Sequence, residues 1–468
     1  MSFALRFLCS LPAALLASLD AASLRAAELL AGPMVGHTTT TSTHIWVETS
    51  EPADVRIDYW LKPRLWYDGP TLPKPVHLGS ATGRTTSDTP HTAVVELRDL
   101  PPGWMMNYTV RLNGRPLRAL TTQSVSLMPP DSPAAGVRGG PPDFAVAFGS
   151  CNHPPRAPIQ PIWTQILRRR PAAFIFLGDN NYLPKDPEMY DIPSADLRIV
   201  VADTHRNMRN IAGLRDLMSS TPSYGIWDDH DFGPNNSDRT FPHRRTTLEL
   251  FHRYWPNPAH GVDGVPGVFH SFRIVDVEFF MLDNRYHRDP KSPSGSGTMV
   301  GRDQLDWLKQ GLKASTAVFK VIGQGGTSLV DSAGEAWADY RSERDDFLAW
   351  VFRENITGVF FIAGDWHVGV LNRLHRATEA YPLYELLSSN LAVSVLRSSA
   401  PRTDRRTGPG TNQWVSPHVQ DTNFGLLSFS GPAGGRTAAL QLIDETGAVR
   451  TELRLAETDL RSARPDRR

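Results

Sequence analysis

The stretch AAFIFLGDNNY, Ala172 to Tyr182, decides the fold. Its first half is apolar without polar alternation, which predicts a short strand buried on both faces, the habit of parallel sheets with helices over them. Gly178 permits a tight turn, and the chain then presents Asp179, Asn180, Asn181 and Tyr182 in a row. Polar residues able to hold a metal therefore stand just past the end of a buried strand. The same order recurs in FGSCNH (Phe148 to His153), IWDDHD (Ile226 to Asp231), MLDNRY (Met281 to Tyr286) and IAGDWH (Ile362 to His367). One such end has a plain alternative, because Asp often follows a strand to cap a helix. Five of them in one region point to loops that converge beyond the carboxyl ends of a sheet, where open α/β domains bind ligands.

Around these ends strands and helices alternate. FAVAFGS (Phe144 to Ser150), RIVDVEFFMLDNR (Arg273 to Arg285), AVFKVIGQGG (Ala317 to Gly326) and ITGVFFIAGDWH (Ile356 to His367) carry strand patterns. WTQILRR (Trp163 to Arg169), RDQLDWLKQGLKAS (Arg302 to Ser315) and SERDDFLAWVFREN (Ser342 to Asn355) carry helical spacing. This predicts a layered α/β domain over 143–456. Its end returns to strands, with FGLLSFSG (Phe424 to Gly431) and a hairpin in Thr437 to Leu455 turning near Thr446 and Gly447. Upstream, over 28–127, HIWVETS (His44 to Ser50), DVRIDYW (Asp54 to Trp60), TAVVELRDL (Thr92 to Leu100) and MNYTVRLNG (Met106 to Gly114) alternate with period two between turn residues. They predict a small antiparallel β-sandwich. The Pro, Gly and Ser-rich stretch 128–142 reads as a linker, and 457–468 as a solvated basic tail.

Length and composition agree with this division. The 468 residues exceed one typical domain, and 40% hydrophobic residues with 12 Trp and 20 Phe can fill a large core. The 49 basic and 49 acidic residues balance, which argues against a dedicated nucleic-acid binder while leaving room for a local phosphate pocket. Residues 1–27 read as a signal peptide: Arg6, then the apolar run Phe7 to Leu16, then small residues. Export to a periplasmic or extracellular location is expected, and no later stretch predicts a membrane span. Of the two cysteines Cys9 falls in the signal, so a mature chain keeps Cys151 alone, without an internal disulfide partner.

A lone exported cysteine past a strand suits metal ligation, although a buried cysteine is by itself more often a core residue. A two-metal phosphoesterase needs a pair of cations about 4 Å apart with a carboxylate bridging them. Asp179 suits the bridge, Tyr182 lies three residues on, and Cys151 offers a thiolate. A thiolate disfavours Mg²⁺ or Ca²⁺ at its own position, and a neighbouring phenolate suits a highly charged ion such as Fe³⁺. Asp229 and Asp365 add carboxylates, His367 an imidazole, and His230 a group to hold the phosphate or serve the leaving oxygen. Tyr182 also reads as a packed aromatic, and Asp228 and Asp229 as a helix cap and a surface charge. Asn235 and Asn236 are ligand candidates set in plain turn chemistry, and Asp283 with Arg285 reads as a salt-bridged loop of second rank. His37, His44, His91, His243 and His252 fit no cluster.

Taken together and in this order, FGSC, GDNNY, WDDHD and GDWH resemble the PhoD-type alkaline phosphatases and phosphodiesterases, a branch of the calcineurin-like metallophosphoesterases. AGPMVGHTTTTSTHIWVET at the front, AWADYRSERDDFLAWV (Ala336 to Val351) and NFGLLSF (Asn423 to Phe429) extend the resemblance over most of the mature chain. It implies a four-layer α/β/β/α sandwich preceded by a fibronectin- or Ig-like β-sandwich. It implies Fe³⁺ held by Cys151, Tyr182 and His367, Asp179 as bridge, and Ca²⁺ on Asp229 and Asp365 with an asparagine such as Asn236. His230 would sit over the phosphate, with Asp229 beside it. The expected activity is hydrolysis of phosphate monoesters or diesters by in-line attack of a metal-bound water or hydroxide, in a monomer acting on small or polymeric esters. A phospholipase D-like diesterase at the same site, or a noncatalytic surface-binding protein, are the competing readings. Two departures stand out: the N-terminus has no twin arginine, and Asn180 and Asn181 stand where bulkier residues are usual.

Overall fold

Parallel strands Phe144–Gly149, Ala173–Leu177 and Ser223–Ile226 lie side by side, and their side chains are almost all buried. They form one half of a six-stranded sheet completed by the antiparallel strands Asn423–Ser430, Thr437–Asp444 and Val449–Ala456. The structure, a computed structural model, describes residues 27–62, 77–117, 122–128, 140–154, 157–183, 188–330, 335–375, 381–393 and 413–461. The expected signal peptide, apart from Ala27, and most of the expected linker lie outside them.

The second large sheet has seven strands, in the order His270–Ile274, Val277–Met281, Phe319–Gln324, Val359–Ala363, Leu383–Ser388, Gly369–Leu374 and Gln413–Trp414. Its central four are parallel. The two sheets share one core: the Phe429 ring of the first lies 6.5 Å from Phe279 and 5.7 Å from Phe319 of the second. Helices supply further apolar faces. In Arg302–Ala314 the buried residues Gln304, Leu305, Leu308 and Leu312 follow helical spacing, and Gly301 at φ +85° lets the chain enter the helix. In Arg341–Arg353 the buried set is Arg344, Phe347, Leu348 and Val351.

The front region has two sheets of its own. Strands Leu29–Thr38, Thr43–Thr49 and His91–Leu97 make one. Asp54–Lys62, His77–Arg84, Met105–Leu112 and two short strands make the other. Val35, Ile45, Val47, Ile57, Val95 and Val110 fill the core between them. Alternation along the first two strands sends Met34 and Trp46, which pair across the ladder, to the opposite face. There they join the main core rather than the front one. The front sandwich is thus bonded to the larger body on a broad face: Tyr108 donates to Ser219 O (2.7 Å), Trp46 Nε1 to Arg253 O (2.7 Å) and the His37 amide to Pro256 O (2.9 Å).

Two segments differ from expectation. Arg273 to Arg285 is not one strand: it holds the end of strand His270–Ile274, a hairpin turn at Val275 and Asp276 with Val275 at φ +55°, and the returning strand Val277–Met281. No Gly or Asn announces that turn, and a β-branched residue rarely adopts such a φ, so the pattern read as continuous. At the other end the packed body runs past the boundary expected at 456: Glu457–Leu460 is a 3₁₀ turn with Leu460 fully buried.

Candidate active site

The parallel strands of both sheets end on one edge, and their loops meet there through the backbone. Asn152 N–H donates to Asp179 O (2.8 Å), Gly364 N–H to Gly325 O (2.8 Å), and Leu391 N–H to Ser150 O (3.1 Å). Contact is close enough that a Cβ on Gly178, itself at φ +94°, would lie 2.5 Å from Asp228 N. Side chains of Cys151, Asp179, Tyr182, Asp229, His230, Asp365 and His367 are delivered to this edge from loops far apart in sequence.

Two groups of candidate ligands form there. In Cys151, Asp179 and His367, and again in Asp179, Asp229 and His230, ligand atoms all lie within 4.8 Å of one another. Asp179 belongs to both. Cys151 Sγ is 3.6 Å from Asp179 Oδ2, and the Tyr182 hydroxyl is 3.4 Å from His367 Nε2. The Tyr182 ring lies between neighbours, 4.4 Å from the His230 ring and 4.3 Å from that of His153. His230 donates its backbone N–H to Asp229 Oδ1 (2.9 Å) and Asp179 Oδ1 (3.2 Å). Asn236 meets the cluster through its backbone, donating N–H to Asp229 Oδ2 (2.8 Å), with an exposed side chain.

The backbone is strained where these residues sit. Cys151 (φ 62°), Asp179 (47°), Asn236 (63°), Asp365 (73°) and His367 (53°) all occupy the left-handed region. Each such non-glycine costs of order 1–3 kcal/mol, and such residues gather at functional sites. A sequence alone does not reveal this strain.

Electrostatically the cluster is an excess of buried acids. Burial, with the charges of Asp229, Cys151 and Asp228, pushes the Asp179 carboxyl well above its ordinary range. Burial, followed by Asp228, Glu335 and Asp229, does the same to Asp365. Burial lifts the Cys151 thiol to about 11. Asp229 goes the other way: burial opposes its charge, but Arg285 and His230 outweigh that and bring it down to about 2. Arg285 is fully buried and is engaged chiefly by Asp228, through its Nε on Asp228 Oδ1. Asp365 Oδ2 is buried with no hydrogen-bond partner among the described residues. A thiol, a phenol, imidazoles and crowded carboxylates, with the Asp365 and Asp228 Oδ2 atoms unpartnered among the described residues, form a donor set that fits cations: positive charge would relieve the repulsion among the acids.

Several participants lay outside the residues expected for the site. Asp228 is the N-cap of the short helix Asp229–Phe232, as the helix-cap reading had it, with its carboxylate buried against Arg285 and Asn284 (Nδ2 donating, 2.9 Å), whereas Asp229 is buried and is no surface charge. Arg285 bonds Asp228, while Asp283 accepts from Trp227 Nε1 (2.8 Å) and from the amides of Val268, Arg285 and Tyr286, so the expected pair within that loop does not form. Ser389 lies 3.2 Å from Cys151 Sγ, and the Ser389 hydroxyl accepts from His367 N–H (2.9 Å). Asp231, pushed up to about 8 by burial, accepts from the amides of Asp228, Asn180 and Asn181 and so ties the two central loops together. The DDHD and DNR spacings held a signal for Asp231 and Arg285; for Ser389 there was none.

The mixed α/β fold is shared with a solved purple acid phosphatase, PPD1 from yellow lupin (Lupinus luteus) seeds: TM-score 0.63 at 11% identity, over 92% of this chain and 74% of that one. The profile of the family described as PhoD-like phosphatase matches residues 144–433, and the chain belongs to that family. A solved structure of PhoD superposes with TM-score 0.68 at 16% identity, covering 90% of this chain and 91% of that one. Alkaline phosphatase D of Bacillus subtilis (strain 168) is 22% identical over 284 residues, 53% of this chain, and the match spans 48% of that protein's length. Residues 26–130 match a second family, described as a domain of unknown function (DUF7800).

Proposed function

We propose that the chain is an exported phosphoric ester hydrolase working through two cations, built as a four-layer α/β/β/α sandwich with the front β-sandwich docked on it. The observation that carries this is the position of Asp179, common to two clusters of candidate ligands. Cys151, Tyr182 and His367 with Asp179 would hold Fe³⁺; Asp179, Asp229 and Asp365, helped by Asn236, would hold Ca²⁺. The negative charge of the phenolate and thiolate donors suits a highly charged ion such as Fe³⁺ for the first assignment, and the oxygen-rich remainder favours the second. When bound, such cations offset charge on the phosphoryl oxygens and acidify water for in-line displacement.

The protein's own groups do the rest. Asp179 and Asp229 are fixed by the His230 amide, which sets the spacing between the loops. The His230 ring, partly exposed beside Tyr182, would bind a phosphoryl oxygen or give a proton to the leaving oxygen. Arg285 holds Asp228 and keeps Asp229 ionised.

Purified protein assayed with p-nitrophenyl phosphate and bis-p-nitrophenyl phosphate, alongside metal analysis, tests the reading. Hydrolysis of at least one ester that is lost with chelator and restored by metal is the expected result. Bound metal with no turnover of either would favour a binding protein instead. The ratio of the two rates decides between monoester and diester preference.

A further inference from the structure

The front sandwich reaches the candidate metal loop through buried polar contacts. Glu48, on strand Thr43–Thr49, shares the outward face of Trp46 and is buried although charged. Its Oε1 receives Arg206 Nη2 (2.7 Å), and the Tyr254 hydroxyl lies 3.1 Å away. That hydroxyl is equally near Ala202 O, but an ionised carboxylate is the stronger acceptor. The Tyr254 ring stacks on His205, with centroids 4.6 Å apart and planes at 17°. His205 Nδ1 faces two donors, Asn181 Nδ2 (3.1 Å) and Arg209 Nη1 (3.4 Å), so Nδ1 accepts and the ring proton sits on Nε2. Asn181 stands between Asp179 and Tyr182, and its backbone N–H donates to Asp231 Oδ1 (3.2 Å).

Arg209 braces the same assembly. Its fully buried guanidinium lies 5.1 Å from the Trp46 ring, 5.0 Å from Tyr254 and 4.9 Å from Trp255, while Nη2 donates to Tyr254 O (2.6 Å). A cation in an aromatic enclosure made by both parts of the chain gains from each ring. If the sandwich were only a cover, an apolar face would serve. A buried carboxylate instead costs desolvation; Glu48 Oε1 is met by Arg206 and Tyr254 while its Oε2 has no partner among the described residues, so the polar contacts that remain are directional ones that favour a single arrangement of the two parts.

We infer that the front sandwich is a positioning element of the candidate metal centre, with Glu48 acting through Tyr254, His205 and Asn181 on the Asp179–Tyr182 loop. The inference rests on that loop being the metal loop, as proposed above. Supporting groups that orient a ligand loop typically change metal affinity or activity by about 10–100-fold when removed.

The test uses the full chain and compares Glu48→Ala, Glu48→Gln, His205→Phe and Asp88→Asn. Asp88 pairs with Arg253 at the exposed rim of the same junction (2.6 Å), away from the relay. Three quantities are read: hydrogen exchange of the 179–182 amides, the rate of metal loss to EDTA, and kcat with KM. Glu48→Ala and His205→Phe should speed exchange and metal loss by about 10-fold or more, and lower kcat with KM little changed. Glu48→Gln, which keeps an acceptor for Tyr254, should recover part of each, and Asp88→Asn should match the wild type. Wild-type exchange and metal retention in folded Glu48→Ala and His205→Phe would overturn the inference, as would equal losses in Asp88→Asn. If Glu48→Ala does not fold, His205→Phe, which keeps the stacked ring, decides alone. A wild type without esterase activity would sink the proposed function but leave the exchange comparison to judge this relay.

Discussion

Arg285→Met is the most informative perturbation of the fold around the site. The guanidinium is fully buried, with Nε on Asp228 Oδ1, Nη1 3.4 Å from Ser237 O and Nη2 3.8 Å from Asp229 Oδ2. Removing it leaves the Asp228 carboxylate buried with Asn284 Nδ2 as its remaining side-chain donor. Breaking a buried pair from one side costs about 3–5 kcal/mol, because the other charge stays out of water without compensation. Asp228→Asn should cost a similar amount by stranding Arg285. The double variant Asp228→Asn/Arg285→Met should lose less than the sum, with a coupling of about 2–3 kcal/mol. Arg285→Lys should not rescue, since an ammonium cannot reproduce the planar fork that meets Asp228, Asp229 and Ser237 at once. Urea unfolding in the presence of chelator measures all four variants without a contribution from bound ions. Additivity of the two single losses within about 0.5 kcal/mol would refute the pairing as the source of the cost.

Other expectations follow from the same geometry. Asp179→Asn should abolish binding in both clusters, read as metal content near background in a protein that still unfolds cooperatively. His230→Ala should retain its metals and lower kcat by about 10²–10⁴-fold, and full activity in that variant would remove His230 from the chemistry. Burial holds His37 and His270 down at about 4 and His260 at about 3. In the unfolded chain these imidazoles titrate near 6.5, so their contribution to stability is whole above that pH and is lost as pH falls toward 4. His270→Phe should flatten the fall in urea midpoint between pH 7 and pH 4.5, by at most about 3 kcal/mol for a shift from 6.5 to about 4; an unchanged slope would contradict the assignment.

The strands that matter most were legible because they are buried on both faces. Phe144–Gly149, Ala173–Leu177 and Val359–Ala363 are unbroken apolar runs, and each stops at or just before a glycine (Gly149, Gly178, Gly364) that opens a polar loop. Convergence of those loops was legible in the same way, since a parallel sheet puts its strand ends on one edge. The hairpin at Val275 was not legible, because its turn uses a β-branched residue in a conformation that tertiary packing imposes. Helices Ser194–Arg209 and Ala212–Ser220 were not among the helical segments read from the sequence, where their buried apolar residues stand among polar ones. Nor did sequence announce Ser389 beside Cys151, or His205 beside Asn181. A single serine or histidine carries no spacing, and only the fold brings it within reach of its partner.

Anomalous diffraction from crystals of the full chain grown with its metals tests the central claim most directly. The account predicts ion peaks on both sides of Asp179, one against Cys151, Tyr182 and His367 and the other against Asp229. Ordered density for these side chains with no ion touching Asp179, in protein that hydrolyses phosphate esters, would contradict it.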